Sequence, residues 1–260
     1  MRDIILAAVG DVHGAMYTMI VRIQALAQAT GCEPDLVLQV GDFEPARDAR
    51  DLESMDAPAK YRKLGDFPGF YHGRARFPWP VLFIGGNHEP YGYLDQFPEG
   101  GELVENCTYL GRAGQVERCG LRISGISGVY NDTAFNNQVP RDQQNWKQRT
   151  YLAGQDLDRL LELPRPDILL MHDWPYGLNC PDQNGRFAGR GCADVVRPLV
   201  DTLEPPLVLC GHQHHGYTTT LQHKGGGSST ICCLSDIQEG PGSVALFRYS
   251  RQSGFTQINP

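Results

Sequence analysis

Short apolar runs that each stop at a knot of glycine, aspartate, asparagine or histidine punctuate this chain five times. Ile4–Val9 runs into Gly10-Asp11-Val12-His13, Asp35–Val40 into Gly41-Asp42, and Val81–Ile84 into Gly85-Gly86-Asn87-His88-Glu89. Ile168–Met171 runs into His172-Asp173, and Leu207–Cys210 into Gly211-His212-Gln213-His214. A run of this kind reads as a strand buried on both faces, which is the signature of a parallel sheet covered by helices. In open sheets of that type the ligand crevice lies beyond the carboxyl ends of the strands, so these polar knots are expected to share one crevice.

The intervening segments supply the covering elements. From Ala15 to about Thr30 the apolar positions Met16, Met19, Ile20, Ile23, Leu26 and Ala27 recur at helical spacing, and Gly31 closes the pattern as a C-terminal cap. Further helices are expected at about Gly154–Leu163 and Cys192–Leu203, with a short one near Ala57–Leu64. Brief strands are expected at Thr108–Leu110, Gln115–Arg118 and Leu121–Ile126. In the tail, Tyr217–Leu221, Thr230–Leu234 and Ser243–Tyr249 read as strands divided by Gly-rich turns. The expected fold is α/β, of the α+β four-layer type, with two packed mixed β-sheets flanked by helices. The length of 260 residues is read as one domain, 1–260, with a surface insert at about 43–79 and a substrate-recognition loop at about 131–150.

Composition excludes more than it selects. A formal net charge of -7 and a sequence pI near 5.6 leave no basic field able to hold long nucleic acid, so any such contact is expected to be local. The 8 cysteines show no paired CxxC spacing of a zinc ribbon and read as small core residues of a protein in a reducing compartment, here taken as the cytoplasm. The apolar start after Met1-Arg2-Asp3 is too short for a signal peptide, and no apolar run approaches the length that spans a bilayer. No membrane association and no obligate protein partner are expected.

Asp11 and His13 are separated by one residue, so in extended chain they point the same way and chelate one ion; His212 and His214 share that spacing. One Asp or His after a strand more often caps a helix or sits hydrated in a loop. Donors at all of these strand ends are a different matter, because a fold gains nothing from collecting them without a ligand. Carboxylates, one amide and imidazoles suit divalent manganese, iron or zinc. Two such ions about 3.5 to 4 Å apart polarise a phosphate and make hydroxide available near neutral pH, which points to a phosphate ester as substrate. Asp42 is the candidate bridging carboxylate. His88, beside Asn87, is the candidate proton donor to the leaving oxygen, with a purely orienting hydrogen bond as the blander alternative. Around this centre Arg47 and Arg141 are candidate phosphate contacts. Tyr91, Tyr93, Trp174 and Tyr176 are candidate stacking platforms for a nucleobase, with packing under a loop as the alternative.

The knots, in this order, resemble the calcineurin-like metallophosphoesterase superfamily, whose pattern is Asp-x-His, Gly-Asp, Gly-Asn-His-Asp/Glu, His and Gly-His-x-His. The resemblance covers about Ile4 to His214. It implies the metallophosphoesterase fold, with Asp11, His13, Asp42 and His214 around one metal and Asp42, Asn87, His172 and His212 around the other. It narrows to the RNA lariat debranching enzyme family on Gly41-Asp42-Phe43, Lys60-Tyr61-Arg62, Phe83 to Glu89, Tyr109-Leu110-Gly111, Arg122 to Gly128 and His172-Asp173-Trp174-Pro175. That family hydrolyses the 2'-5' phosphodiester of branched RNA, which implies RNA or a nucleotide as substrate and likens Asn131–Thr150 to a branch-recognition loop. Two departures stand out. Many members carry Cys where this chain has Asp11, and the eukaryotic enzymes continue into an extension not seen after Pro260, as expected of a prokaryotic relative. A phosphomonoesterase acting on a protein or small metabolite, and a binding scaffold without catalysis, are the alternative functions.

Overall fold

Alternation along the buried strands decides the layering of the computed structural model, which describes residues 2–175, 177–178, 192–193, 195–240 and 242–259. In the strand Ile4–Val9, Leu6 and Ala8 point to one face and Ala7 and Val9 to the other. Leu36 and Leu38 follow the first face and Val37 the second; Leu82 divides in the same way from Val81 and Phe83. The first face meets Ile123, Ile168, Leu170, Leu207 and Leu209 of a second sheet, forming a core between sheets. The other face of the first sheet is covered by Met16, Met19 and Ile23 of the helix Met16–Thr30. On the far side, Leu169, Met171, Val208 and Cys210 pack against Leu160, Leu199, Val200 and Leu203 of the helices Gly154–Glu162 and Val196–Leu203. Each fully buried aliphatic side chain contributes about 1.5 to 3 kcal/mol, so two-faced burial is what holds these otherwise short strands.

The first sheet has seven strands in the order Gly254–Ile258, Val244–Ser250, Ile4–Val9, Leu36–Gln39, Val81–Phe83, Cys107–Tyr109, Gly101–Val104. The second has six, in the order Tyr217–Gln222, Ser228–Cys233, Leu207–Cys210, Ile168–Met171, Leu121–Ile126, Ala113–Arg118. Each has a parallel centre, Ile4–Val9 through Cys107–Tyr109 in one and Ser228–Cys233 through Leu121–Ile126 in the other, with antiparallel edges. The expected pair of mixed sheets flanked by helices is therefore present, and the parallel centres bring their carboxyl ends to one rim.

Four expectations change. Ala57–Leu64 forms a single turn, with the Tyr61 and Arg62 amides donating to the Pro58 carbonyl. That stretch has no apolar face to bury, whereas the neighbouring helix Phe67–Tyr71 sinks Phe67 and Phe70 into the core. The expected loop at 131–150 contains the short helices Asp132–Asn136 and Trp146–Arg149, each capped by an asparagine side chain, Asn131 and Asn145. The helix expected from Cys192 is described only over Val196–Leu203, while Cys192–Ala193 pairs with Trp174–Pro175. The edge strands Gly101–Val104 and Gly254–Ile258 have no counterpart among the expected strands, being short and largely polar on their outer side. Among the described residues no helix is long and apolar enough to cross a membrane.

Candidate active site

Because the parallel strands end together, the residues just beyond them converge. Asp11, Asp42 and His172 have ligand atoms mutually within 4.8 Å, as do Asp11, His13 and His214, and His13, Asp42 and His88. Asp42 lies at the middle: its Oδ2 is 3.4 Å from His172 Nε2, 3.4 Å from His88 Nδ1 and 3.9 Å from His13 Nε2. Asp11 Oδ2 is 3.1 Å from His214 Nε2, and Asp11 also accepts the His212 backbone N–H. The His212 ring is 5.0 Å from that of His172, centroid to centroid.

The donor atoms are arranged as a cation would need them. His172 Nδ1 donates to the Val40 carbonyl at 2.8 Å, which leaves Nε2 as a lone pair facing Asp42. His13 Nδ1 is held by Glu44 Oε1 at 2.8 Å, which does the same for its Nε2. Both Nε2 atoms are buried without a hydrogen-bond partner, and so is Asn87 Oδ1. Buried polar atoms are normally satisfied, so orphaned imidazole nitrogens facing buried carboxylates fit divalent cations.

The electrostatics agree. Burial pulls the imidazoles down, but Asp42 and Asp11 lift His172 to about 10, and Glu44 and Asp42 lift His13 to about 9. The carboxylates thus hold protons in the places cations would take. Burial, reinforced by His172, lowers His212 to about 4, which keeps it neutral. The backbone is strained to aim these groups: His13, Asp42, Glu44, His212 and His214 all have positive φ without being glycine. Gly41, at φ +102°, and Gly86 admit no side chain, since a Cβ would sit 2.5 Å from His172 Nδ1 and 2.2 Å from Asp42 Oδ1 respectively.

Glu89, to which the sequence pattern assigns no role of its own, organises the site. Its carboxylate accepts the amides of Phe43 at 2.8 Å, Glu44 at 2.8 Å and Gly86 at 3.1 Å, joining two of the ligand loops. Glu89→Ala would leave these buried donors unpaired and is expected to cost about 2 to 3 kcal/mol, with Glu89→Gln costing less because one oxygen remains. Denaturant unfolding checks this; equal effects of the two variants would remove the bridging role. Glu44 and Asp236 are further groups that local pattern does not single out, with Asp236 Oδ2 3.8 Å from both His13 Nε2 and His214 Nδ1.

The outlying candidates are placed differently. Tyr91 is buried, its hydroxyl donating to the Gly86 carbonyl at 2.6 Å and its ring lying under the Arg112 guanidinium. Trp174 is likewise buried, with Nε1 donating to the Leu178 carbonyl. Neither ring face is open to a base, so the expected stacking gives way to packing beneath the ligand loops. Tyr93 is also in the core, and Tyr176 lies outside the described residues. Arg47 is engaged by Asp51 through Nε and Nη2, both at 2.9 Å, and lies over Tyr93. Arg141 pairs with Asp156, while its Nη1 is buried without a partner beside a cavity of ≈ 380 Å³ lined also by Gln138, Gln144, Gln148 and Tyr151. Asp95 bridges Arg112 and Arg149 and so pins the 131–150 segment to the helix that follows His88.

With this centre defined, the chain belongs to the calcineurin-like phosphoesterase family, whose model matches residues 5–216. Among curated relatives it is similar to the lariat debranching enzymes of Arabidopsis thaliana (30% identical over 242 residues, 86% of this chain and 58% of that protein) and Saccharomyces cerevisiae (33% over 239 residues, 84% and 58%). That of Drosophila melanogaster is 36% identical over 235 residues, 84% of this chain and 44% of that protein. The chain spans about half the length of the curated relatives it matches. Its fold is shared with TT1561 of Thermus thermophilus, at TM-score 0.52 and 18% identity over 99% of both chains. It is also shared with GAP50 of Plasmodium, at TM-score 0.55 and 11% identity over 99% of this chain and 84% of that one.

Proposed function

We propose that this protein is a dinuclear phosphodiesterase acting on RNA or a nucleotide, of the 2'-5' debranching type. The observation that carries the metal centre is the convergence of unpartnered His13 Nε2 and His172 Nε2 on Asp42, with Asp11 in the same cluster; Asn87 Oδ1 is likewise buried without a partner. One cation is assigned to Asp11, His13, Asp42 and His214, and the other to Asp42, Asn87, His172 and His212. Bound divalent cations supply Lewis acidity and an activated water. The donor set is nitrogen and oxygen without thiolate, which favours manganese, iron or zinc.

The chain's own residues divide the remaining work. Asp42 holds the two cation positions together, and its Oδ1 accepts the His88 amide at 2.8 Å, fixing that residue beside the centre. His88 donates the proton to the leaving oxygen. Arg141, with its unpartnered Nη1 in the amide-lined cavity, is the group assigned to contacts away from the reacting phosphate. The RNA assignment is supported by the debranching relatives and not by charge, since the chain carries a net -7. The same reading treats residues 1–260 as one domain and places it in the cytoplasm, consistent with free thiols at Cys32, Cys107, Cys119 and Cys232.

The test compares manganese-loaded protein on a 2'-5' branched RNA, a linear 3'-5' RNA, bis(p-nitrophenyl) phosphate and p-nitrophenyl phosphate. Cleavage of the branched substrate at least tenfold faster than the linear one supports the proposal. Turnover of the monoester alone would replace it with the phosphomonoesterase reading, and no turnover with any substrate would favour a binding scaffold.

A further inference from the structure

The insert between the second and third parallel strands comes back to the centre through one side chain. The Tyr61 ring is stacked on the His13 imidazole, centroids 4.1 Å apart and planes at 25°, and is 4.6 Å from the His88 ring at 30°. His13 and His88 are themselves 5.3 Å apart, so one phenol touches both imidazoles. Tyr61 is in none of the hydrophobic clusters of the described residues, so its ring is not explained as core filling.

The segment that bears it is tied down beside His13. The Asp66 amide donates to the Gly14 carbonyl at 2.8 Å, and the Asp66 carboxylate accepts the Tyr17 amide at 3.0 Å. Gly65 packs so closely that a Cβ there would come within 2.5 Å of the Gly14 oxygen. His13 has Glu44 to fix its ring, but His88 Nδ1 is buried with no hydrogen-bond partner. Its Nδ1 faces Asp42 Oδ2 at 3.4 Å, too long to fix the ring by itself, so the contact with the Tyr61 ring adds to what sets its plane about the Cβ–Cγ axis.

We propose that Tyr61 is a positioning residue, whose ring packs against both the His13 and His88 imidazoles and so keeps His88 facing the leaving-group oxygen. This rests on the proton-donor role proposed for His88. The proposal needs only the ring, whose centroid contacts with both imidazoles carry it; the neighbouring Lys60 ammonium lies 4.3 Å from the same centroid on an exposed side chain.

The experiment uses the full chain as wild type, Tyr61→Phe, Tyr61→Leu and Tyr61→Trp. Two readouts are taken: histidine ring-proton NMR shifts in metal-free protein, and kcat and KM of the manganese-loaded protein on a diester with a poor leaving group. Tyr61→Leu is expected to move the His13 and His88 resonances and lower kcat about 10- to 100-fold with little change in KM, because small misplacement of a reacting group costs up to about that much. Tyr61→Phe should stay within about twofold of wild type in both readouts, and Tyr61→Trp should recover most of the kcat. Should Tyr61→Leu fail to fold, Tyr61→Phe and Tyr61→Trp still decide the matter, since both keep a ring over the imidazoles and both should stay active. Unmoved resonances, an effect on KM alone, or a Tyr61→Phe loss as large as that of Tyr61→Leu would overturn the proposal. An inactive wild type that binds no manganese would instead overturn the phosphoesterase centre on which it stands.

Discussion

Alanine in place of Asp42 is expected to reduce the bound divalent cations from two per chain to fewer than one, and to lower turnover by at least about 10³. Its Oδ2 faces His172, His88 and His13 within 4 Å, and its side chain is 1% exposed. Burial alone would push such a carboxyl upward, yet His172 and the other imidazoles hold it well below the usual carboxylate range. It is therefore ionised, central and shared, which is what a bridging ligand must be. The Lewis-acid contribution it supports is worth several kcal/mol, and each 1.36 kcal/mol is a decade of rate, hence a loss of that size. Asp42→Asn separates charge from shape, because an amide oxygen still accepts the His88 amide while the negative charge is gone. It should bind metal nearly as poorly as the alanine variant. Elemental analysis after desalting, together with kcat, reads both effects, and a thermal melt adds a third: wild type should gain stability on adding manganese, whereas the variants should not. Two tightly held cations in Asp42→Ala would remove the bridging assignment.

Much of this centre is legible in the chain because two-faced burial and ligation leave separate marks on sequence. Burial demands unbroken apolar runs such as Leu207–Cys210, and ligation demands oxygen or nitrogen donors directly after them, with glycine where the turn is tight. The fold follows from the first mark and the meeting of Asp11, Asp42 and His172 from both. What stays hidden depends on contacts between segments far apart in the chain. Glu44 reaches His13, Glu89 reaches the Phe43 and Glu44 amides, and Tyr61 reaches His13 and His88; Glu89 and Tyr61 stand in motifs, but no local pattern says which distant group each one touches. Tyr91 and Trp174 show the converse. An aromatic beside a polar motif reads equally well as a platform for substrate or as the floor beneath the motif, and only the direction of the side chain decides. The edge strand Gly254–Ile258 leaves no such mark, because an edge with little burial need not alternate.

His88→Ala is the change that separates the metal centre from the proton it needs. Turnover of an RNA diester should fall about 10² to 10⁴ while two cations remain bound, since Asp42 and Asn87 stay in place. The loss should shrink to about tenfold or less on bis(p-nitrophenyl) phosphate, whose leaving group departs without a proton. This contrast matters because the structure offers His88 a rival role: with His13 and Asp42 it forms a group able to hold a cation itself. Burial is the largest influence on its ring and keeps its pKa below the ordinary value despite the pull of Asp42, so a neutral ligand is chemically sensible too. The two roles predict different patterns. A ligand lost would lower cation content and slow both substrates alike, since both depend equally on the cations. A donor lost would spare the cations and slow only the substrate whose leaving oxygen must be protonated. Equal slowing of the two diesters would fall on the side of ligation, and the proton would then have to come from solvent.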